Sequence, residues 1–170
     1  MLAEFGDIFE RKKSYTTRPV REGNEKAQEN FIFVNEAEFL RMAKENAFIE
    51  YREREQGSGI WYGTAHSEIA RIKDSGKIPI LEVDVEGALE INKKALEGNF
   101  LFIYPPSFEE LRKRIGNRIE TEQEFKIRIK GAINQVQLAN QSVLFTNKLV
   151  NDQLEDAKDE FVTLLRALYF

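Results

Sequence analysis

Two apolar runs constrain the fold of this chain more than any other feature. They are "IPILEVDV" at 78–85 and "FLFIYPP" at 100–106. Both are rich in β-branched or aromatic residues, as strands buried on both faces of a sheet are. Helix-period segments surround them. One starts near Ala65 and stops at Gly76, a natural residue to follow a helix end. Another follows 78–85, and a last helix carries Phe161, Leu164, Leu165 and Leu168. Buried strands alternating with helices imply an α/β fold around a mainly parallel sheet.

The remaining elements fit that frame. "LAEFGDIFERKK" reads as a short helix or helix end, with Leu2, Phe5, Ile8 and Phe9 at helical spacing. "SYTT" is a short strand leading into a polar loop over 18–30, and "FIFV" at 31–34 is another strand. Asn35 and Glu38 have the spacing of a helix-capping pair, ahead of an apolar face of Phe39, Met42 and Ala43. Ser107 with Glu110, and Thr121 with Glu124, repeat that spacing ahead of two more helices. "AFIEYRERE" and "GIWYGT" flank "QGSG", a hairpin turn. "KLVND" at 148–152 is a last short strand. The segment 31–64 interrupts the alternation with its own β unit and reads as an inserted subdomain.

With 170 residues, 42% of them apolar, the chain can bury a real core. Its net charge of −4 argues against a broad nucleic-acid or membrane surface, but not against a local basic pocket. Cysteine is absent, so a disulfide framework and a thiolate metal site are excluded. No apolar run approaches a membrane span, and "MLAEFGDIFERKK" lacks a signal-peptide pattern. The expected location is cytoplasmic.

Four groups of residues could carry chemistry. In "SYTTRPVREG", Arg18 and Arg21 follow a run of hydroxyls at Ser14, Tyr15, Thr16 and Thr17. An isolated arginine pair is most often a pair of solvated loop charges. Here the hydroxyls could complete an oxygen shell around a phosphate gripped by the guanidinium forks. Glu82, Asp84 and Glu86 alternate, so they share one side if the strand of 78–85 continues. Carboxylates at such a strand end lie where α/β ligand sites form, although an ordinary polar strand end explains them as well. "GIWYGT" reads equally as core strand residues before a turn. Arg112, Arg114, Arg118 and Arg128, taken alone, describe a charged helical surface. His66 belongs near a helix start, facing solvent.

Together these pieces resemble the guanylate kinase family. The resemblance runs from about Leu2 to Phe170 through "SYTTRPVREG", "NFIFV…EFLRM…FIEY", "WYGT", "ILEVDVEGA", "FIYPPSFEELRKRIGNR" and "LVND". It implies the P-loop nucleoside-monophosphate-kinase fold, three-layered α/β with a mainly parallel sheet. It implies one domain over 1–170, with a GMP-binding subdomain at 31–64 and a lid at 115–128. The implied activity is magnesium-dependent phosphoryl transfer from ATP to GMP, giving GDP. By resemblance, Ser14, Arg18, Arg21 and Tyr62 hold the GMP phosphate, and Glu50 and Thr64 read guanine. Asp84 and Glu82 match the acidic pair near the phosphates and magnesium, where the family usually has aspartate at the position of Glu82. Arg114, Arg118 and Arg128 match the arginines that close over the transferring phosphoryl group. Asn151 and Asp152 match the loop near the adenine of ATP.

The sequence also departs from the family. Guanylate kinases open with a strand and a glycine-rich phosphate loop, G-x-x-x-x-G-K-[ST], and no such motif occurs in these 170 residues. The expectation is a chain truncated ahead of Met1, lacking the first, central strand and the P-loop. Its ATP phosphates then lose their cradle and its activity is very low. The family's phosphate-binding tyrosine is Phe31 here, a lost hydrogen bond to a charged group worth about 1.5–3 kcal/mol. "RIETEQ" lacks the usual glycine after Arg118, which leaves the lid geometry open. The alternative is a non-catalytic guanylate-kinase-like module that binds phosphorylated protein partners through the GMP-site surface.

Overall fold

The computed structural model describes residues 5–20, 29–54, 57–117 and 121–170. The chain forms two compact units, 1–96 and 97–170.

In the first unit, β1 (Phe9–Arg11) pairs in parallel with β6 (Ile78–Ile80), Phe9 lying opposite Ile78. The chain then crosses into a four-stranded sheet. Its members are β2 (Ser14–Thr16), β3 (Phe31–Phe33), β4 (Phe48–Glu53) and β5 (Trp61–Ala65), in the order β3-β2-β5-β4. The β2–β3 pair is parallel, whereas β5 runs antiparallel to both β2 and β4. Lys12 and Lys13 are therefore the step between the two sheets.

Helix α1 (Glu36–Lys44) starts where the sequence predicts, because the Asn35 side chain accepts from the Glu38 N–H at 2.8 Å. The Glu38 carboxylate does not close the capping box; it pairs with Arg41. Phe39 of α1 stacks on Phe48 of β4 at 4.6 Å between ring centres, with Tyr15, Val34, Met42, Ala43 and Trp61 packed around them. Gly63 lies beneath this stack. A Cβ there would come within 3.0 Å of Phe48 and 3.1 Å of Phe39, so the close packing requires glycine. Helix α2 (His66–Asp74) is capped at Ser75 and followed by Gly76, whose φ of 78° suits a residue without Cβ. Exposed His66 opens that helix, as expected.

In the second unit, β7 (Leu101–Tyr104) pairs in parallel with β8 (Asn147–Val150), Leu101 opposite Asn147. Ser107 caps α4 (Phe108–Gly116) and Thr121 caps α5 (Glu122–Gln141), each accepting from the N–H three residues on. The last helix, α6 (Leu154–Tyr169), buries Ala157 and Leu165.

Four expectations need correction. Residues Phe9–Arg11 form a strand rather than the continuation of a helix, since their amides are committed to pairing with β6. The strand in 78–85 stops at Ile80. The Asp84 side chain accepts from the Gly87 N–H at 2.8 Å and so opens a helix at Val85. Glu82, Asp84 and Glu86 consequently do not alternate along one strand. The strands at 78–80 and 101–104 are half-buried, with Ile103 54% exposed, rather than covered on both faces. Finally, the β unit is not confined to 31–64, because its strand β2 lies at 14–16.

Candidate active site

The first unit gathers most of the expected acceptor residues. Ser14 begins β2, and the β2–β5 register sets Thr16 opposite Tyr62. Buried Thr16 orients the turn that follows, its hydroxyl accepting from the Arg18 N–H at 3.1 Å. The Arg18 guanidinium lies 5.4 Å from the Phe31 ring centre and 6.0 Å from that of Phe33. Among the described residues, its Nε is buried without a hydrogen-bond partner. Phe31 also meets Tyr62 edge-on, with 6.0 Å between ring centres. Ser14, Arg18 and Tyr62 thus belong to one corner of the sheet. Arg21 lies outside the described residues.

Glu50 and Thr64 face each other across the β4–β5 hairpin. Both are buried, and the Thr64 hydroxyl donates to Glu50 Oε1. The other carboxylate oxygen borders α3 (Val85–Lys93): a Cβ on Gly87 would lie 3.3 Å from Glu50 Oε2 and 3.2 Å from Asp84 Oδ1. A glycine in the first turn of α3 therefore lets two carboxylates approach one helix N-terminus. A helix N-terminus favours negative charge, which lowers the electrostatic cost of that approach.

Arg52 extends from β4 to this cluster, pairing with Asp84 at 2.8 Å and with Glu86. Burial opposes its charge. The hydrogen bond to Glu86 and the fields of Asp84, Glu86 and Glu50 outweigh that penalty and hold its pKa above the ordinary arginine value. Sequence reasoning missed Arg52, which sits in the charged string "YRERE" like any solvated residue. Glu82 stands apart from Asp84: its side chain is largely exposed and pairs with Arg11.

Lys12 is the other residue that was missed. It is 4% exposed, and its Nζ donates to Ser14 Oγ. Burial pushes its pKa down, the carboxylates of Glu50, Glu82 and Glu68 pull it back up, Arg11 pushes it down, and the balance is a lowered value. Doubled lysines before a strand give no sequence signal for burial.

The second unit holds the expected lid and adenine-loop residues. Arg114 of α4 donates to the Asn151 carbonyl at 2.6 Å and the Asp152 carbonyl at 3.0 Å, and pairs with Glu110 at 2.8 Å. Arg128 of α5 pairs with Glu124 at 3.0 Å. Arg112 lies over Phe125, 5.4 Å from its ring centre. Arg118 lies outside the described residues. Among the described residues, no three carboxylate or imidazole groups converge as a metal cage, and no helix is long and apolar enough to cross a membrane.

Hydroxyls and a guanidinium at one corner of a sheet that also holds a buried carboxylate are the donor and acceptor types that nucleotide-binding α/β proteins use. The sequence matches the guanylate kinase family over residues 1–168. Guanylate kinases of Clostridium tetani and Clostridium perfringens strain SM101 are each 37% identical to it. The first match spans 91% of this chain and 71% of that protein; the second spans 98% and 74%. The crystal structure of guanylate kinase from Anaplasma phagocytophilum superposes with a TM-score of 0.73 at 28% identity, covering 97% of this chain and 78% of that one. The chain belongs to the guanylate kinase family, and its fold is the α/β fold of P-loop kinases.

Proposed function

We propose that this chain binds GMP as the phosphoryl acceptor of a guanylate kinase, through residues 14–87. ATP-dependent conversion of GMP to GDP is the general activity of the family. The observation that carries the reading is the buried Glu50–Thr64 pair, which sits in the same sheet as Ser14 and Tyr62, with Arg18 in the turn that follows β2. Guanine presents two adjacent donors, N1–H and its exocyclic amine. A carboxylate fixed by a neighbouring hydroxyl can accept from both, whereas adenine offers one acceptor and one donor. At the other end of the nucleotide, Ser14, Arg18, Arg21 and Tyr62 bind the phosphate. The unsatisfied Arg18 Nε supplies a donor already removed from water.

Residues 1–170 act as one guanylate-kinase domain, with 31–64 carrying much of the GMP site and 115–128 acting as the lid. Arg114, Arg118 and Arg128 supply positive charge for the phosphoryl group in transit, and Asn151 and Asp152 form the adenine loop. Arg114 gives that loop its support by holding both carbonyls. Asp84 and Glu82 are the carboxylates that would meet the water shell of magnesium. Asp84 is already committed to Arg52 and to the α3 cap, and Glu82 to Arg11. That donor set fits an ion delivered with ATP phosphates rather than one caged by protein. When bound, magnesium neutralises phosphate charge. These 170 residues contain no G-x-x-x-x-G-K-[ST] motif, so transfer by this chain alone should be very slow.

Calorimetric titration tests the reading. The chain should bind GMP more tightly than AMP or guanosine, and Arg18→Ala should abolish the GMP preference over guanosine. A folded chain that binds no GMP would overturn the acceptor site and direct attention to phosphorylated peptides.

A further inference from the structure

Within the acceptor site proposed above, we infer that Lys12 is an additional phosphate-binding residue, its ammonium sharing the GMP phosphate with Ser14. The inference rests on that acceptor reading, but on separate observations. Lys12 is 4% exposed, yet among the described residues its Nζ makes a single hydrogen bond, to the Ser14 hydroxyl. An ammonium has three protons to donate. No carboxylate is within ion-pairing distance of it among the described residues. Burying a charge without a partner is costly, and native structures normally avoid it. A dianion at Ser14 would supply the missing partner.

The surroundings favour an anion that comes and goes. Glu50 is bound to Thr64, Glu82 to Arg11, and Glu68 to Arg71, so the acidic groups whose fields reach Lys12 already have partners of their own. Arg11, also nearby, is held by Glu82 and by the Asn30 side chain. The Lys12 amide is fixed by the Ile80 carbonyl at 3.1 Å, and the Lys13 amide donates to Glu68 at 3.3 Å. The backbone at this step between sheets is thus clamped on both sides, which aims the side chain at Ser14 without help from a counter-ion. A buried lysine with a lowered pKa also responds to phosphate: the arriving charge favours the ammonium form.

The test compares wild type with Lys12→Met, which matches the four-atom stem and removes the charged nitrogen, and Lys12→Arg. GMP and guanosine are titrated calorimetrically, and thermal melts are recorded without ligand. Lys12→Met should bind GMP roughly ten- to a hundredfold more weakly and guanosine equally well. It should melt no lower than wild type in the absence of ligand, because a buried unpaired charge has been removed. Lys12→Arg should retain part of the GMP affinity. Wild type that binds GMP while Lys12→Met binds it equally would overturn the role of Lys12 and leave the acceptor site intact. Equal losses for GMP and guanosine would reduce Lys12 to a structural residue. Wild type that binds no GMP would overturn both.

Discussion

Replacing Glu50 with glutamine isolates the chemistry of guanine reading. The Thr64 hydroxyl donates to Glu50 Oε1, so in Glu50→Gln the amide oxygen should take that position and the NH2 group the other. The Oε2 position lies beside α3, 3.3 Å from where a Gly87 Cβ would be. Against guanine, an NH2 group there meets N–H: one charge-assisted hydrogen bond is lost and two donors face each other. The loss is about 1.5–3 kcal/mol for the bond alone. That corresponds to roughly ten- to a hundredfold weaker GMP binding. Against adenine the same amide is complementary, its oxygen accepting the amine and its NH2 facing a ring nitrogen. AMP binding should therefore stay constant or improve. Parallel titrations of wild type and Glu50→Gln with GMP and AMP give the selectivity ratio directly. An unchanged ratio would refute the assignment of Glu50 to the base, whatever the absolute affinities.

Four other outcomes follow from the same geometry. Phe39→Ala should cost about 3–5 kcal/mol in urea denaturation, because it empties the centre of the stack against Phe48. Gly63→Ala adds a methyl group where Phe48 and Phe39 stand 3.0 and 3.1 Å away, and should destabilise by about 1–3 kcal/mol in the same assay. Arg52→Ala leaves Asp84 and Glu86 without their shared partner and should weaken GMP binding in calorimetry, with Arg52→Lys recovering part of it. For Glu68, burial pushes the pKa up, but Arg71 and the Lys13 amide outweigh it and the net value falls below the usual 4.5. Its contribution is therefore present above the unfolded pKa and fades as pH drops through the folded value. Glu68→Gln should lower the melting temperature at pH 7, and the gap to wild type should close only in acid, as pH falls through the lowered folded-state value.

Local chemistry was legible in the sequence, and shared environment was not. Asn35, Ser107 and Thr121 announce helix starts because a cap depends on neighbours two or three residues away. Glu50 and Thr64 were marked by resemblance and do meet across their hairpin. The end of the strand at Ile80 was hidden, because apolar residues continue through Leu81, Val83 and Val85 while Asp84 turns the chain into a helix. Burial of the parallel strands was overestimated for a related reason. An apolar run records what a strand could bury, whereas exposure depends on which strands and helices cover it. Lys12 and Arg52 were invisible because both sit in charged strings, and only the fold shows that one is buried and the other bridges two carboxylates.

The most direct test of the account is a crystal structure of the chain soaked with GMP. The phosphate should lie against Ser14, Arg18, Tyr62 and Lys12, and the guanine edge against Glu50 with Thr64 still bound to its Oε1. GMP seated away from these residues, or reversed with its base at Ser14, would contradict the acceptor site on which the functional reading depends.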